Sequence, residues 1–140
     1  SVEPARLVGD PDALQRVVRN LVDNARRHAR EEMSLGLTVD RSGAGAPRAI
    51  LRVDDDGDGV PVEQRQTVFD RFARLDADRA RGKGGSGLGL AIVAEITRSH
   101  GGDVRVEDAP GGGARFVVEL PVEELDADFD DADLDRAHGA

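Results

Sequence analysis

The 140-residue sequence contains no cysteine, which removes both a disulfide framework and any thiolate metal site. It has neither tryptophan nor tyrosine, and its four phenylalanines bring aromatic content to only 3%. A core must therefore be built from Leu, Val, Ile and Ala, and there is little on which single-stranded nucleic acid could stack. No apolar run approaches the length that crosses a bilayer, and the N-terminus lacks a signal-peptide pattern. Lysine is nearly missing as well: of 19 basic residues only Lys83 is a lysine. These absences predict a soluble cytoplasmic chain with no membrane contact and no nucleic-acid partner. Its size and 39% hydrophobic content suit one domain with one core, of a kind that can be part of a larger protein.

Charge is unevenly placed. Residues 123–140 hold eight acidic groups against one arginine, so −7 of the net −9 lies there and the first 122 residues carry only −2. An Ala/Asp-rich segment with few apolar residues reads as a solvated, disordered tail. The expected division is a folded domain over 1–122 and an acidic tail over 123–140.

What is present in quantity is glycine, and it is concentrated. Gly82-Lys83-Gly84-Gly85-Ser86-Gly87-Leu88-Gly89 runs directly into an apolar helical pattern from Leu88 to His100, with Gly101 at the C-cap. Glycine lets an anion approach the backbone, and the helix start offers unpaired N–H groups and a positive dipole end. That combination is a phosphate seat.

Upstream, Asp10-Pro11-Asp12 signals a helix start, and Leu14, Val17, Val18, Leu21, Val22 and Ala25 recur at three- and four-residue spacing. The spacing predicts an amphipathic helix from Pro11 to Ala29, with Asn20 and Asn24 stacked beside its apolar stripe and Arg27 and His28 continuing that face. Strands are expected over Ala5–Val8, Leu35–Asp40, Ala49–Asp54, Asp103–Glu107 and Arg115–Leu120, separated by Gly- and Pro-rich turns. Pro61 opens a short helix through Val68, Phe69 and Phe72.

Three separated patches share one chemistry: an Asn pair on a helix, an Asp-x-Gly-x-Gly loop after a strand, and a glycine loop before a helix. Together they resemble the ATP-binding catalytic domain of sensor histidine kinases, within the superfamily that includes Hsp90, gyrase B and MutL. Asn20-Leu21-Val22-Asp23-Asn24-Ala25 is similar to that family's N box and Asp55-Asp56-Gly57-Asp58-Gly59 to its G1 box. Val68-Phe69-Asp70-Arg71-Phe72 is similar to its F box and Gly85-Ser86-Gly87-Leu88-Gly89-Leu90 to its G2 box. The resemblance spans about Val8 to Pro121. It implies an α/β (α+β) two-layer sandwich of the Bergerat type, a mixed, mainly antiparallel sheet with about three helices on one face.

The resemblance also implies roles. Asp55 would read adenine, an acceptor-only carboxylate facing a donor amine, with Gly57, Gly59 and Val60 passing close to the base. Asn24 would hold Mg²⁺, with Arg27 and His28 beside the nucleotide, and Lys83, Gly85, Ser86, Gly87, Leu88 and Gly89 would line the phosphates. Arg71 and Arg74 are candidate lid cations. ATP-hydrolysing members of the superfamily place a glutamate at the position of Asn20, and an amide cannot act as a general base. Slow hydrolysis and phosphoryl transfer to a separate nucleophile follow. The implied partners are a histidine-bearing helical dimerisation domain and, downstream, a response regulator. None of His28, His100 and His138 is followed by an acidic residue, as the family's acceptor is. His100, near a helix end, reads as structural. Ala114 stands where the family often has threonine.

Three other readings compete. Asp54, Asp55, Asp56 and Asp58 look superficially like a calcium loop, although Arg65 occupies the twelfth position where a glutamate would close it. An anti-sigma-factor-type serine kinase shares the Asn, Asp-x-Gly and glycine features, but the 25 residues between Gly59 and Gly85, with Phe69 and Phe72 among them, are longer than its lid. The last is a nucleotide-binding scaffold without activity.

Overall fold

Asp10 begins the first helix as its composition demands: the carboxylate accepts the Asp12 N–H at 3.0 Å and Pro11 fills the first turn. Helix α1 runs Pro11–His28 and buries Val17, Leu21, Asn24 and Ala25, one stripe at helical spacing. Arg26, Arg27 and His28 in the last turn complement the negative end of the dipole. The helix stops one residue short of the expected Ala29, which is extended at ψ 141°. The computed structural model describes residues 9–43, 45–70 and 89–122. The expected strand Ala5–Val8 and the acidic tail lie outside them.

Four strands follow the predicted pattern: β1 (Met33–Asp40), β2 (Arg48–Asp55), β3 (Asp103–Asp108) and β4 (Ala114–Pro121). Their order is β1-β2-β4-β3, and each described pairing is antiparallel rather than mixed. The register sets Leu35 opposite Val53, Val53 opposite Phe116 and Phe116 opposite Val106. Because strand side chains alternate, that row and its neighbours face one way. β1 starts at Met33, two residues before the expected Leu35, because Met33 pairs with Asp55 and prolongs the ladder to the end of β2.

Helix α2 (Gly89–Ser99) lies with α1 over this apolar face. Its end is a Schellman closure: Gly101 adopts φ 77°, its N–H donates to the Arg98 carbonyl at 3.0 Å, and the Gly102 N–H donates to the Thr97 carbonyl at 2.9 Å. The helices pack antiparallel. At one end His100 donates from Nδ1 to the Ile96 carbonyl at 2.8 Å and accepts the Asp10 N–H on Nε2 at 3.3 Å. At the other end Gly89 meets the Asn20 side chain. Val17, Leu21, Val53, Val93 and Val118 fill the space between helices and sheet, and Phe69 meets Phe116 edge-on at 6.1 Å. The short helix expected after Pro61 is two single 3-10 turns, Val62–Gln64 and Thr67–Phe69. Arg65 interrupts it by reaching back to the Val60 carbonyl at 3.0 Å, and the Thr67 hydroxyl caps the Gln64 carbonyl at 3.2 Å. Phe72 lies outside the described residues.

The opposite sheet face is closed by side chains. Arg115 grips Asp54 with two bonds of 2.8 and 2.9 Å, Arg105 pairs with Glu107 and Glu119, and Arg52 donates to Thr38. Val117, in register between Arg52 and Arg105, is 0% exposed. Arginine stems beside an apolar residue cover it while their charged ends stay wet.

Candidate functional site

Alternation along β2 sorts the crowded acids. Ala49, Leu51 and Val53 face the helices, so Asp55 does too, whereas Asp54 faces away toward Arg115. Asp55 therefore stands where an apolar core residue would be expected, only 4% exposed. Its Oδ1 accepts the Gly57 N–H at 2.9 Å and the Ala114 N–H at 3.3 Å. Among the described residues no donor reaches Oδ2, although that oxygen is buried. An orphaned carboxylate oxygen is costly to leave unmatched. It fits a ligand that brings an N–H donor, which is the hydrogen-bonding character of an exocyclic amine.

The surrounding backbone is built to fit closely. A Cβ on Gly57 would run into the His28 carbonyl, and one on Gly113, at φ 88°, would run into the carbonyl of Asp55. Gly59 at φ 78° faces the Gly113 carbonyl. Val60 sends its side chain into the core. Arg65 joins this loop to β3, pairing with Asp108 at 2.7 Å.

The remaining acids point elsewhere. The Asp56 carboxylate accepts three consecutive backbone N–H groups, from Arg30 at 2.7 Å and from Glu31 and Glu32 at 3.1 Å, and Asp58 pairs with the Arg30 guanidinium. Partial desolvation works to raise Asp56, but the Glu31, Arg30 and Glu32 donors outweigh it and hold the carboxyl below the usual 3.8. The four acids thus diverge, and among the described residues no group of three acidic or histidine side chains could hold a metal. The calcium-loop geometry is not formed.

On α1, Asn24 is 4% exposed and Asn20 half-buried, the latter against Gly89 at the start of α2. Arg27 and His28 close the same helix, and the His28 carbonyl abuts the Asp55 loop. A single neutral amide is the type of ligand Mg²⁺ accepts when substrate phosphates and water supply the rest, so Asn24 fits that ion. Arg71, Lys83, Gly85, Ser86, Gly87 and Leu88 lie outside the described residues. The structure adds four groups that sequence reasoning did not assign to the site: the Ala114 N–H, Gly113, Asp56 and Arg65.

The described elements thus bring the Asn20/Asn24 helix, the Asp55 loop and the start of the glycine-led helix α2 to one side of the sheet. A family model described as histidine kinase-, DNA gyrase B- and HSP90-like ATPase matches residues 9–124. The chain belongs to this ATPase family. Within it, the sensor histidine kinase CpxA of Escherichia coli (strain K12) is 43% identical over 119 residues, which is 85% of this chain and 25% of CpxA. The chain therefore spans a quarter of that relative's length. The solved mycobacterial sensor histidine kinase MprB superposes with a TM-score of 0.72 at 34% identity, covering 89% of this chain and 80% of that one. Full-length ShkA in complex with AMPPNP superposes at 0.69 with 30% identity, covering 89% of this chain and 25% of that one. CpxA and MprB are sensor histidine kinases, so the serine-kinase alternative is not favoured. The family's description as ATPases supports ATP as the substrate of this domain. Among its described residues no helix is long and apolar enough to cross a membrane.

Proposed function

We propose that this chain is the catalytic module of a two-component sensor histidine kinase, working in the cytoplasm. It binds Mg-ATP and passes the γ-phosphoryl group to a histidine on a helical dimerisation domain, from which a response regulator takes it. The observation that carries this reading is the buried Asp55 carboxylate, with one oxygen satisfied by backbone and the other without a donor among the described residues.

Asp55 receives the adenine amine, and Gly57, Gly59 and Gly113 let the backbone around that carboxylate pack closely enough to hold it in place. Asn24 would hold Mg²⁺, which would neutralise phosphate charge, with Arg27 and His28 on the same last turns of α1. A histidine nitrogen attacks the γ-phosphorus, the bond to the β-phosphate oxygen breaks, and ADP leaves. Catalysis of this kind needs positioning and charge neutralisation rather than a protein base. Asn20 supplies no base, so water is not activated and the phosphoryl group is kept for the histidine.

Calorimetry of the 140-residue chain with ATP, with and without Mg²⁺, tests the first half; labelled ATP with a separate histidine-bearing helical domain tests the second. Mg²⁺-dependent binding and labelling of the histidine are expected. Asn24→Ala should remove the Mg²⁺ dependence and the transfer while the protein stays folded. Absence of ATP and ADP binding would refute the reading, and unchanged transfer by Asn24→Ala would refute the metal assignment.

A further inference from the structure

We propose that Asp56 is a positioning residue that keeps the two ends of the nucleotide site in register: the adenine end at Asp55 and the phosphate end on the last turns of α1. The inference rests on the ATP-site reading above.

Asp55 and Asp56 are adjacent in the chain but serve opposite sides of the loop. Asp55 turns inward, to the helix-covered side of the sheet, where Oδ1 takes the N–H groups of Gly57 and Ala114. Asp56 turns toward the segment leaving α1 and uses both oxygens: Oδ1 accepts from Arg30 and Glu31, Oδ2 from Glu31 and Glu32. Three consecutive amides converging on one carboxylate fix the path of the chain directly after the helix. The neighbouring contact is just as close, since Gly57 leaves room only for the His28 carbonyl. Asp58 then holds the Arg30 side chain from the same loop. Residues 56–58 on one side and 28–32 on the other thus join the adenine loop to the end of α1.

The consequence for the reaction follows from what each bond holds. Without Asp56, Asp55 keeps its own two backbone donors, and the orientation of its second oxygen is unchanged. What loosens is the last turn of α1, with Arg27 and His28 on it and Asn24 one turn behind. The core residues Leu21 and Ala25 still hold the body of the helix. Adenine recognition should therefore survive, while the gain from engaging the phosphates through Mg²⁺ should fall. A misplacement of the order of 1 Å costs about 100-fold in rate where reacting groups are held, and the partial loosening here is expected to cost about 10-fold in affinity.

The test is calorimetry of the full 140-residue chain and of Asp56→Ala and Asp56→Asn, each with adenosine, ADP and Mg-ATP, beside a thermal melt. An adenosine affinity within about 3-fold of the parent and a Mg-ATP affinity weaker by about 10-fold are expected for Asp56→Ala. Asp56→Asn keeps one acceptor oxygen and turns an N–H₂ toward the amides, so it should fall between. Should Asp56→Ala not fold, the comparison is made on Asp56→Asn alone. Equal losses for adenosine and Mg-ATP, or no loss in either, in a folded variant would overturn the proposal. Failure of the parent to bind any adenine ligand would instead overturn the ATP-site reading.

Discussion

Replacing Asp55 with asparagine changes one atom's character and leaves shape untouched. The Asn oxygen can stay in the Oδ1 position and keep the Gly57 and Ala114 donors at 2.9 and 3.3 Å. The amide nitrogen then occupies the place of Oδ2, the buried oxygen without a donor among the described residues. Stability should change by no more than about 1 kcal/mol, because each native hydrogen bond of this side chain survives. ATP binding should weaken sharply, since a donor would now face the donor amine of adenine. Loss of a hydrogen bond to a charged group is worth about 1.5–3 kcal/mol, and the opposed donors place the effect near the upper end, about 100-fold in Kd. The same substitution should favour a base with an acceptor at that position. Inosine triphosphate, which carries an oxo group there, should gain relative to ATP. Calorimetric titration of parent and variant with both nucleotides, beside a thermal melt, decides the matter. A folded Asp55→Asn that binds ATP as the parent does, with no shift toward inosine triphosphate, would refute the assignment of Oδ2 to the adenine amine.

Gly113→Ala should be severe for a turn residue. Its φ of 88° costs an L-residue about 1–3 kcal/mol, and the new methyl meets the Asp55 carbonyl, so the melting temperature should fall by roughly 10 °C or more; a fall under about 2 °C would show that the hairpin is not pressed against Asp55. Acid stability should report Asp40 and Asp56, both held below 3.8, Asp40 chiefly by the Ser42 hydroxyl and N–H. A depressed folded-state value means that stability is fully present above the unfolded pKa and is lost as pH falls through the folded one. Asp56→Asn should accordingly flatten the acid limb below about pH 4 in melts taken as a function of pH, and parallel limbs for parent and variant would contradict the hydrogen-bond assignment.

Much of the fold was legible because its signals are local. Asp10-Pro11 and the three- and four-residue spacing of Val17, Leu21 and Ala25 mark α1, and Gly101 marks the end of α2. Asp55 was legible as a motif, but its setting was not. Ending β2 at Asp54 places Asp55 in a loop, whereas one more residue of ladder, paired with Met33, makes it an inward-facing strand position. Asp54, Asp56 and Asp58 are indistinguishable by type, and only the register of distant segments assigns Asp54 to Arg115 and Asp56 to residues 30–32. The Ala114 donor is backbone and leaves no trace in side-chain identity. Arg65 counted only as a missing calcium ligand, and its bond to Asp108, 43 residues away, depends on the closed fold.

The divergence of Asp54, Asp55, Asp56 and Asp58 makes this short stretch a junction whose exits are addressed by position rather than by chemistry. Since the four side chains are interchangeable as acids, inserting or deleting one residue before Asp54 would leave the composition nearly intact and misdirect every exit at once. The carboxylate meant for Arg115 would turn inward and the one meant for the nucleotide would turn to solvent. Such a protein would still carry an Asp-x-Gly-x-Gly signature for any sequence search to find. Reading frame within the fold, not the presence of the motif, separates a working member of this family from a look-alike.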